Sequence, residues 1–280
     1  MSRYFSLLLL SFVIAITLIF GVAMIWFIIA EIAFINYFRE FQAVSIEGRF
    51  IERSSYLITF VIAILITRKK RYLIFDSKRT CLQKIYISTE VFIVVGLSVI
   101  LAFFVPFALG HATINMQSNL LVDFNSTINQ IIIVGVLNNL MISLGEEIVY
   151  RGLIFSYLLK KTQQLHTSVV ISSLVFSVLH INYSEPVSFL LAFIGGGIFA
   201  YAFYYSKTLL IPVVMHFSYN FFMELFASEN QDYLVKILET EIFYIEGFGD
   251  LFAVFRLFFL LCAGGYVFLR FSGRNQRFDE

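Results

Sequence analysis

In the middle of an apolar segment the chain reads Gly145-Glu146-Glu147-Ile148-Val149-Tyr150-Arg151-Gly152. Two adjacent acids and an arginine are unusual there, because a charged side chain at the centre of a bilayer costs roughly 2.5 to 3.5 kcal/mol on insertion scales. Charges persist at such depth when a protein interior shelters them and a function uses them. The run therefore predicts a membrane helix surrounded by other helices, with a functional site at its charges.

The composition of the whole chain agrees with a membrane protein. Of its 280 residues, 59% are hydrophobic and only 14% are charged, against about 25% charged residues in globular proteins. The formal charge of +1 gives no support to nucleic-acid binding. Cys81 and Cys262 lie in different kinds of environment and offer no disulfide framework. Because no polar stretch is long enough for a separate folded domain, residues 1–280 are predicted to form a single membrane domain.

A helix that crosses a bilayer needs about 20 apolar residues. The fold class predicted from such runs is all-α, a polytopic bundle of about eight transmembrane helices. A triple glycine at 195–197 predicts close packing of one of these helices against a neighbour. The predicted spans lie near 5–29, 55–67 (a short segment), 87–109, 130–158, 168–183, 187–205, 209–227 and 250–270.

The distribution of basic residues predicts the orientation, since cytoplasmic loops collect Lys and Arg. With eight spans and the N-terminus inside, most of the twenty Lys and Arg fall on the cytoplasmic side, while the loop after the seventh span is acidic. Both termini are therefore predicted to be cytoplasmic. The heavy use of Ile, Phe and Asn favours a bacterial source, and so a multi-pass protein of the bacterial plasma membrane.

Helical spacing divides the polar residues of the fourth span into two sets. Glu147 and Arg151 are four residues apart and share a face. Glu146 is turned by roughly 100° from Glu147 and shares its face with Tyr150. We therefore expect Arg151 to neutralise Glu147, which leaves Glu146 available as a general base.

Two other spans carry polar groups that can meet this glutamate. His180 ends the run Phe176-Ser177-Val178-Leu179-His180 on the fifth span, and His216 and Asn220 share a face of the seventh. At about 1.5 Å per residue, Glu146, His180 and Asn220 each lie roughly 20 Å from the cytoplasmic ends of their helices, with His216 about one turn nearer. A lone membrane histidine is more often a packing residue, but this set at matching depth predicts one buried functional cavity.

Three motifs on successive spans resemble those of a known family. They are Glu146-Glu147-x-x-Tyr150-Arg151, Phe176-x-x-x-His180 and His216-x-x-x-Asn220. In this order they look like the CPBP family, which comprises CAAX proteases and bacteriocin-processing enzymes and is also called Abi or type II CAAX prenyl endopeptidase-like. The motif-bearing core covers about residues 130–227.

The resemblance implies an intramembrane endopeptidase. Carried over by position, Glu146 with His180 activates a water, His216 with Asn220 holds the oxyanion, and Glu147, Tyr150 and Arg151 support the fourth helix. Two histidines and a glutamate also form a recognised catalytic zinc set, which here means Glu146, His180 and His216. The pattern HExxH of soluble zinc proteases is absent, so we favour the mechanism without zinc and leave the metal open.

Two other classes of function remain as alternatives. The same fold can serve a non-proteolytic membrane regulator or scaffold, including a bacteriocin self-immunity protein. A proton-coupled transporter also uses buried acids and histidines, but its two halves usually repeat such features, and here they occupy one half. The expected partners are the lipid bilayer and a peptide or membrane-anchored protein substrate, which we expect to be cut near the cytoplasmic side.

Overall fold

The computed structural model describes residues 2–33, 46–70, 79–110, 113–115, 131–181, 187–226, 244–246 and 249–272. Apolar segments of membrane length fold as helices, because a helix satisfies all of its own backbone hydrogen bonds. The α-helices are α1 (Ser2–Ala15), α2 (Val22–Ala33), α3 (Ile46–Lys70), α4 (Cys81–Ala108), α5 (Asn139–Glu147), α6 (Ser156–Thr162), α7 (Leu165–Val178), α8 (Val187–Ser206), α9 (Leu210–Phe226) and α10 (Gly249–Ser272).

The predicted all-α class is confirmed. Within the described ranges the exception is a pair of three-residue antiparallel strands, β1 (Thr113–Asn115) and β2 (Tyr244–Glu246). Among the residues that the structure describes, four helical stretches can cross a membrane by length and composition, and three shorter apolar helices accompany them. The number of spans and the cytoplasmic termini stay predictions. The four stretches are Tyr4–Trp26, Cys81–Val105, Val187–Ser206 and Val254–Ser272, and the shorter helices are Arg53–Thr67, Leu165–Val178 and Leu210–Met223.

The fourth predicted span departs from regular α-helical geometry. It is helical throughout, but α5 is flanked by two π-helical segments, Ile131–Asn138 and Ile148–Phe155. A third π-helical segment, Ile16–Gly21, separates α1 from α2. π-Helical turns carry one extra residue per hydrogen-bonded ring and occur frequently at functional sites. The two glutamates are thus the last residues of α5, immediately before the helix widens.

The helix that carries the charges is enclosed by neighbours. Ile148, Val149 and Ile154 are fully buried in a core formed with residues of α1, α3, α7 and α8. The helices approach closely at Gly145, where an added Cβ would come within 2.8 Å of the Cβ and carbonyl oxygen of Tyr56 on α3. Glycine at this position lets α3 pack directly beside the start of the charged run.

Replacing Gly145 by alanine is therefore expected to destabilise the protein by about 1–3 kcal/mol, the usual range for overpacking. The backbone of Tyr56 cannot move aside as a flexible side-chain tip could. Thermal unfolding in detergent measures the loss. Gly265→Ala on α10 is the matched control, because nothing lies within 4 Å of a Cβ added there. Equal melting temperatures for the two variants would contradict the close contact between α3 and α5.

Candidate active site

Three helices bring the predicted glutamate and both histidines together. Glu146 Oε2 lies 3.5 Å from Nε2 of His180 and 4.0 Å from Nε2 of His216. Glu146 ends α5, His180 follows the last turn of α7, and His216 lies in the second turn of α9. The convergence that equal helical depth predicted is present in the structure. We call Glu146, Glu147, Arg151, His180 and His216 the Glu–His cluster.

Glu147 has two partners. Its Oε1 accepts a hydrogen bond of 2.9 Å from Nη1 of Arg151, as the spacing of four residues predicts. The same oxygen lies 2.8 Å from Nδ1 of His216. Sequence reasoning did not find this second contact. Glu147 therefore does more than neutralise the arginine, because it also fixes the orientation of the His216 ring.

Arg151 is enclosed by main chain and aromatic rings. Its Nη2 donates to the carbonyl oxygen of Gly196 on α8 at 3.2 Å. Its guanidinium carbon lies 4.7 Å from the ring centre of Phe176 and 5.3 Å from that of Phe199. Cation–π contacts of this kind strengthen when they are desolvated, and Arg151 is 1% exposed. The arginine thus links the charged helix to both α7 and α8.

The glycine run makes the approach of α8 possible. A Cβ added at Gly196 would lie 3.3 Å from the Cα and Cβ of Ser173 on α7 and 3.3 Å from the Phe176 ring. The close packing predicted for residues 195–197 is therefore present. The sequence showed that small residues occur here, but it did not show that a carbonyl of this run receives the arginine.

Aromatic rings hold both histidines. The Phe176 ring lies 4.1 Å from that of His180, and it meets Tyr150 edge to face at 4.9 Å. The Phe199 ring stacks on His216 at 5.4 Å. Tyr150 is 1% exposed, and its predicted supporting role stays a prediction. Phe199 was missed, since one phenylalanine among 34 carries no distinguishing signal.

The hydrogen bonds of the two rings limit their tautomers. Nδ1 of His180 lies 2.7 Å from the carbonyl oxygen of Phe176, which can only accept. Nδ1 of His180 is therefore the donor, and in the neutral ring Nε2 carries the lone pair that faces Glu146. Nδ1 of His216 likewise donates to the Glu147 carboxylate. In both rings Nε2 is the nitrogen that faces the centre of the cluster.

The comparison with known families agrees with these positions. Residues 128–222 match the family model described as type II CAAX prenyl endopeptidase Rce1-like. Over these residues the chain is similar to that family. The predicted family resemblance is thereby confirmed, and it brings with it a membrane environment and a peptide or protein substrate as the coarse function. No curated protein and no solved structure matches the chain.

Asn220 is the remaining member of the predicted set. It lies within the matched residues, one turn after His216 on α9, and is half-buried. Among the described residues no hydrogen bond or ion pair joins it to Glu146, His180 or His216. Its predicted role as a second oxyanion donor stays a prediction.

Of the three side chains that meet at the centre of the Glu–His cluster, that of His180 is the most accessible. The His180 side chain is 35% exposed, whereas those of Glu146 and His216 are each 7% exposed. Within the described part of the chain, Oε2 of Glu146 and Oε2 of Glu147 are buried and have no hydrogen-bond partner. A buried carboxylate oxygen with no partner is costly unless a water or substrate group satisfies it. Because Oε2 of Glu146 faces both histidines, the acceptor oxygen without a partner lies at the centre of the Glu–His cluster.

The fit of a zinc ion can be tested on the same geometry. In the portion of the chain that the structure covers, no group of three or more His, Cys, Asp or Glu side chains is arranged to hold a metal ion. His216 uses one nitrogen on Glu147, as metal-bound histidines often do. The set Glu146, His180 and His216 does not form a metal centre as it stands, so we derive no step through zinc.

Proposed function

We propose that the chain is an intramembrane endopeptidase that hydrolyses a peptide bond of a small peptide or a membrane-tethered protein. The observation that carries the proposal is the buried Oε2 of Glu146, which has no partner among the described residues and faces Nε2 of both His180 and His216. A general base must lie within hydrogen-bond reach of the proton that it removes. A water bound against this oxygen meets that condition.

Glu146 and His180 are the pair that activates this water. Two acceptors 3.5 Å apart can both accept hydrogen bonds from one water molecule. As the water oxygen attacks the substrate carbonyl carbon, its proton passes to Glu146 and the carbonyl oxygen becomes an oxyanion. When the carbon–nitrogen bond breaks, the proton is delivered to the leaving amine. The exposed edge of His180 is where the substrate reaches the pair.

His216 is the donor that stabilises the oxyanion. Its Nδ1 already donates to Glu147, so only Nε2 can turn to the substrate. Donation from Nε2 requires the doubly protonated ring. Glu146, Glu147 and Arg151 together carry a formal charge of minus one, so one extra proton within the cluster makes it neutral. A net charge of zero over the cluster is favourable, because an unpaired buried charge carries a large desolvation free energy.

The proposal is tested by comparing protein termini in cell membranes. Cells that lack the gene receive the wild-type chain, Glu146→Ala or His166→Ala. His166 is the matched control, because it is an exposed histidine on the same helix as the motif, bonded to Tyr201 and outside the Glu–His cluster. We expect termini that occur with the wild type and His166→Ala and disappear with Glu146→Ala, identified by mass spectrometry of labelled amino termini.

The opposite result would support the regulator or scaffold. If no terminus depends on Glu146 while Glu146→Ala restores the phenotype of gene loss, the proposed hydrolysis is wrong. A second experiment tests the metal. If purified protein still cleaves in excess chelator and is metal-free by elemental analysis, catalytic zinc is excluded. If chelator abolishes cleavage and added zinc restores it, catalytic zinc is established.

A further inference from the structure

Resting on the proposed function, we infer that the Glu–His cluster is reached from the extracytoplasmic face, so that its substrates are exported peptides or the outer segments of membrane-tethered proteins. The argument depends on which end of the helix bundle opens at His180 and which end carries the basic residues. The two ends can be identified from contacts between the described helices.

One end of the bundle is basic. Lys160 and Lys161 lie in the last turn of α6, just before α7 begins. Lys207 directly follows the last residue of α8. Nη1 of Arg79, just before α4, donates to the carbonyl oxygen of Ser206 at 3.1 Å, which brings the start of α4 to the same end.

The beginning of α7 and the end of α8 also meet at this basic end. Nδ1 of His166, in the first turn of α7, lies 2.6 Å from the hydroxyl oxygen of Tyr201 near the end of α8. The guanidinium of Arg79 lies 5.2 Å from the ring centre of Phe271, which places the end of α10 there as well. Arg270 precedes that phenylalanine. The basic loops are thus joined by direct contacts, independently of any assumption about the membrane.

His180 lies at the opposite end. Helix α7 has 14 residues and is therefore about 21 Å long, and His180 follows its last turn. Ser188, in the first turn of α8, donates to the His180 carbonyl oxygen at 3.3 Å, so the start of α8 lies beside it. His180 is the exposed member of the Glu–His cluster, and the next residue, Ile181, is 45% exposed. The cluster therefore opens away from the basic end.

The strand pair lies at the same end as His180. Strand β1 follows the end of α4 that is distant from Arg79, and β2 follows the end of α9 that is distant from Lys207. Their antiparallel pairing places β1 and β2 side by side at this end. In the sequence between α9 and β2 stand the acidic residues Glu229, Asp232, Glu239 and Glu241, and Glu246 ends β2.

The positive-inside rule assigns the basic end to the cytoplasm. The opening at His180 then faces the outside, which differs from the cleavage near the cytoplasmic side that the sequence led us to expect. A water-accessible peptide segment on the outer surface can enter at His180 without crossing the roughly 20 Å of helix between the cluster and the basic end.

Site-directed labelling tests the direction of access without requiring activity. In a chain with Cys81→Ser and Cys262→Ser, Ile181→Cys is treated with a membrane-impermeant maleimide in spheroplasts and in inverted membrane vesicles. We expect at least tenfold more labelling in spheroplasts. The native Cys81, retained in a Cys262→Ser chain, is exposed at the basic end and is the matched control, which we expect to label only in inverted vesicles.

Labelling of Ile181→Cys only in inverted vesicles, or equally from both sides, would overturn the inference. If Ile181→Cys is not labelled in either preparation, His180→Cys in the same cysteine-free chain is labelled instead. If His180→Cys is not labelled in spheroplasts, the inference is also overturned. The termini experiment separates this outcome from the proposed function. Glu146-dependent cuts in cytoplasmic segments would refute access from outside and leave proteolysis intact, whereas no Glu146-dependent cut would refute proteolysis and leave the labelling result valid.

Discussion

Replacing Glu146 by glutamine is expected to lower kcat by roughly 10²- to 10⁴-fold, which is the contribution typical of a general base. The amide has nearly the same shape as the carboxylate but cannot take a proton from water. KM should change little, because Glu146 contacts the attacking water and not the parts of the substrate that determine affinity. The measurement is steady-state cleavage by the purified protein of a peptide that spans a Glu146-dependent site.

A folding defect must be distinguished from a chemical one. Glu146 makes no hydrogen bond through Oε2 among the described residues, and Arg151 is paired with Glu147. Glu146→Gln should therefore unfold at nearly the wild-type temperature. A normally folded Glu146→Gln protein with wild-type kcat would show that another group removes the proton.

The second large effect is on stability. Removing Glu147 by substitution with glutamine, or Arg151 by substitution with methionine, is expected to cost about 3–5 kcal/mol, because each change leaves the other charge buried without its partner. Both side chains are almost fully enclosed, at 0% and 2% exposure. Glu147→Gln also deprives His216 of its carboxylate acceptor. Denaturant or thermal unfolding in detergent measures the free energy.

The pairing itself is tested by the double variant Glu147→Gln/Arg151→Met. Since neither charge remains, it should be more stable than the sum of the two single losses predicts, by an interaction energy on the order of 1–3 kcal/mol. The matched control is Glu90→Gln, which removes the more exposed ion pair with Arg270 between α4 and α10 and should cost less. Strict additivity, or an equal loss for Glu90→Gln, would contradict a strongly coupled buried pair.

Sequence reasoning succeeded where distance along a helix determines the result. The spacing of four residues predicted the bond between Glu147 and Arg151. The common depth of about 20 Å for Glu146 and His180, with His216 about one turn nearer the cytoplasmic end, predicted that both histidines could meet Glu146. Both follow from the fixed rise of a helix, so they need no knowledge of how the helices are packed.

It failed where the rotation of one helix against another decides the contact. The bond from His216 to Glu147 and the position of Phe199 both depend on which faces of α5, α8 and α9 meet. Periodicity does not specify these faces in a segment that is apolar on all sides. The π-helical segments on both sides of α5 were missed for a related reason, because no residue pattern in the apolar run distinguishes them from regular helix.

The bond from Arg151 to the carbonyl oxygen of Gly196 has a consequence for variation at that position. Every amino acid supplies the same carbonyl, so no substitution at position 196 can delete the acceptor. A larger side chain acts only by volume, since its Cβ already lies at 3.3 Å from Ser173 and Phe176. Position 196 thus sets the spacing between two helices, and through that spacing it sets how firmly the guanidinium is held.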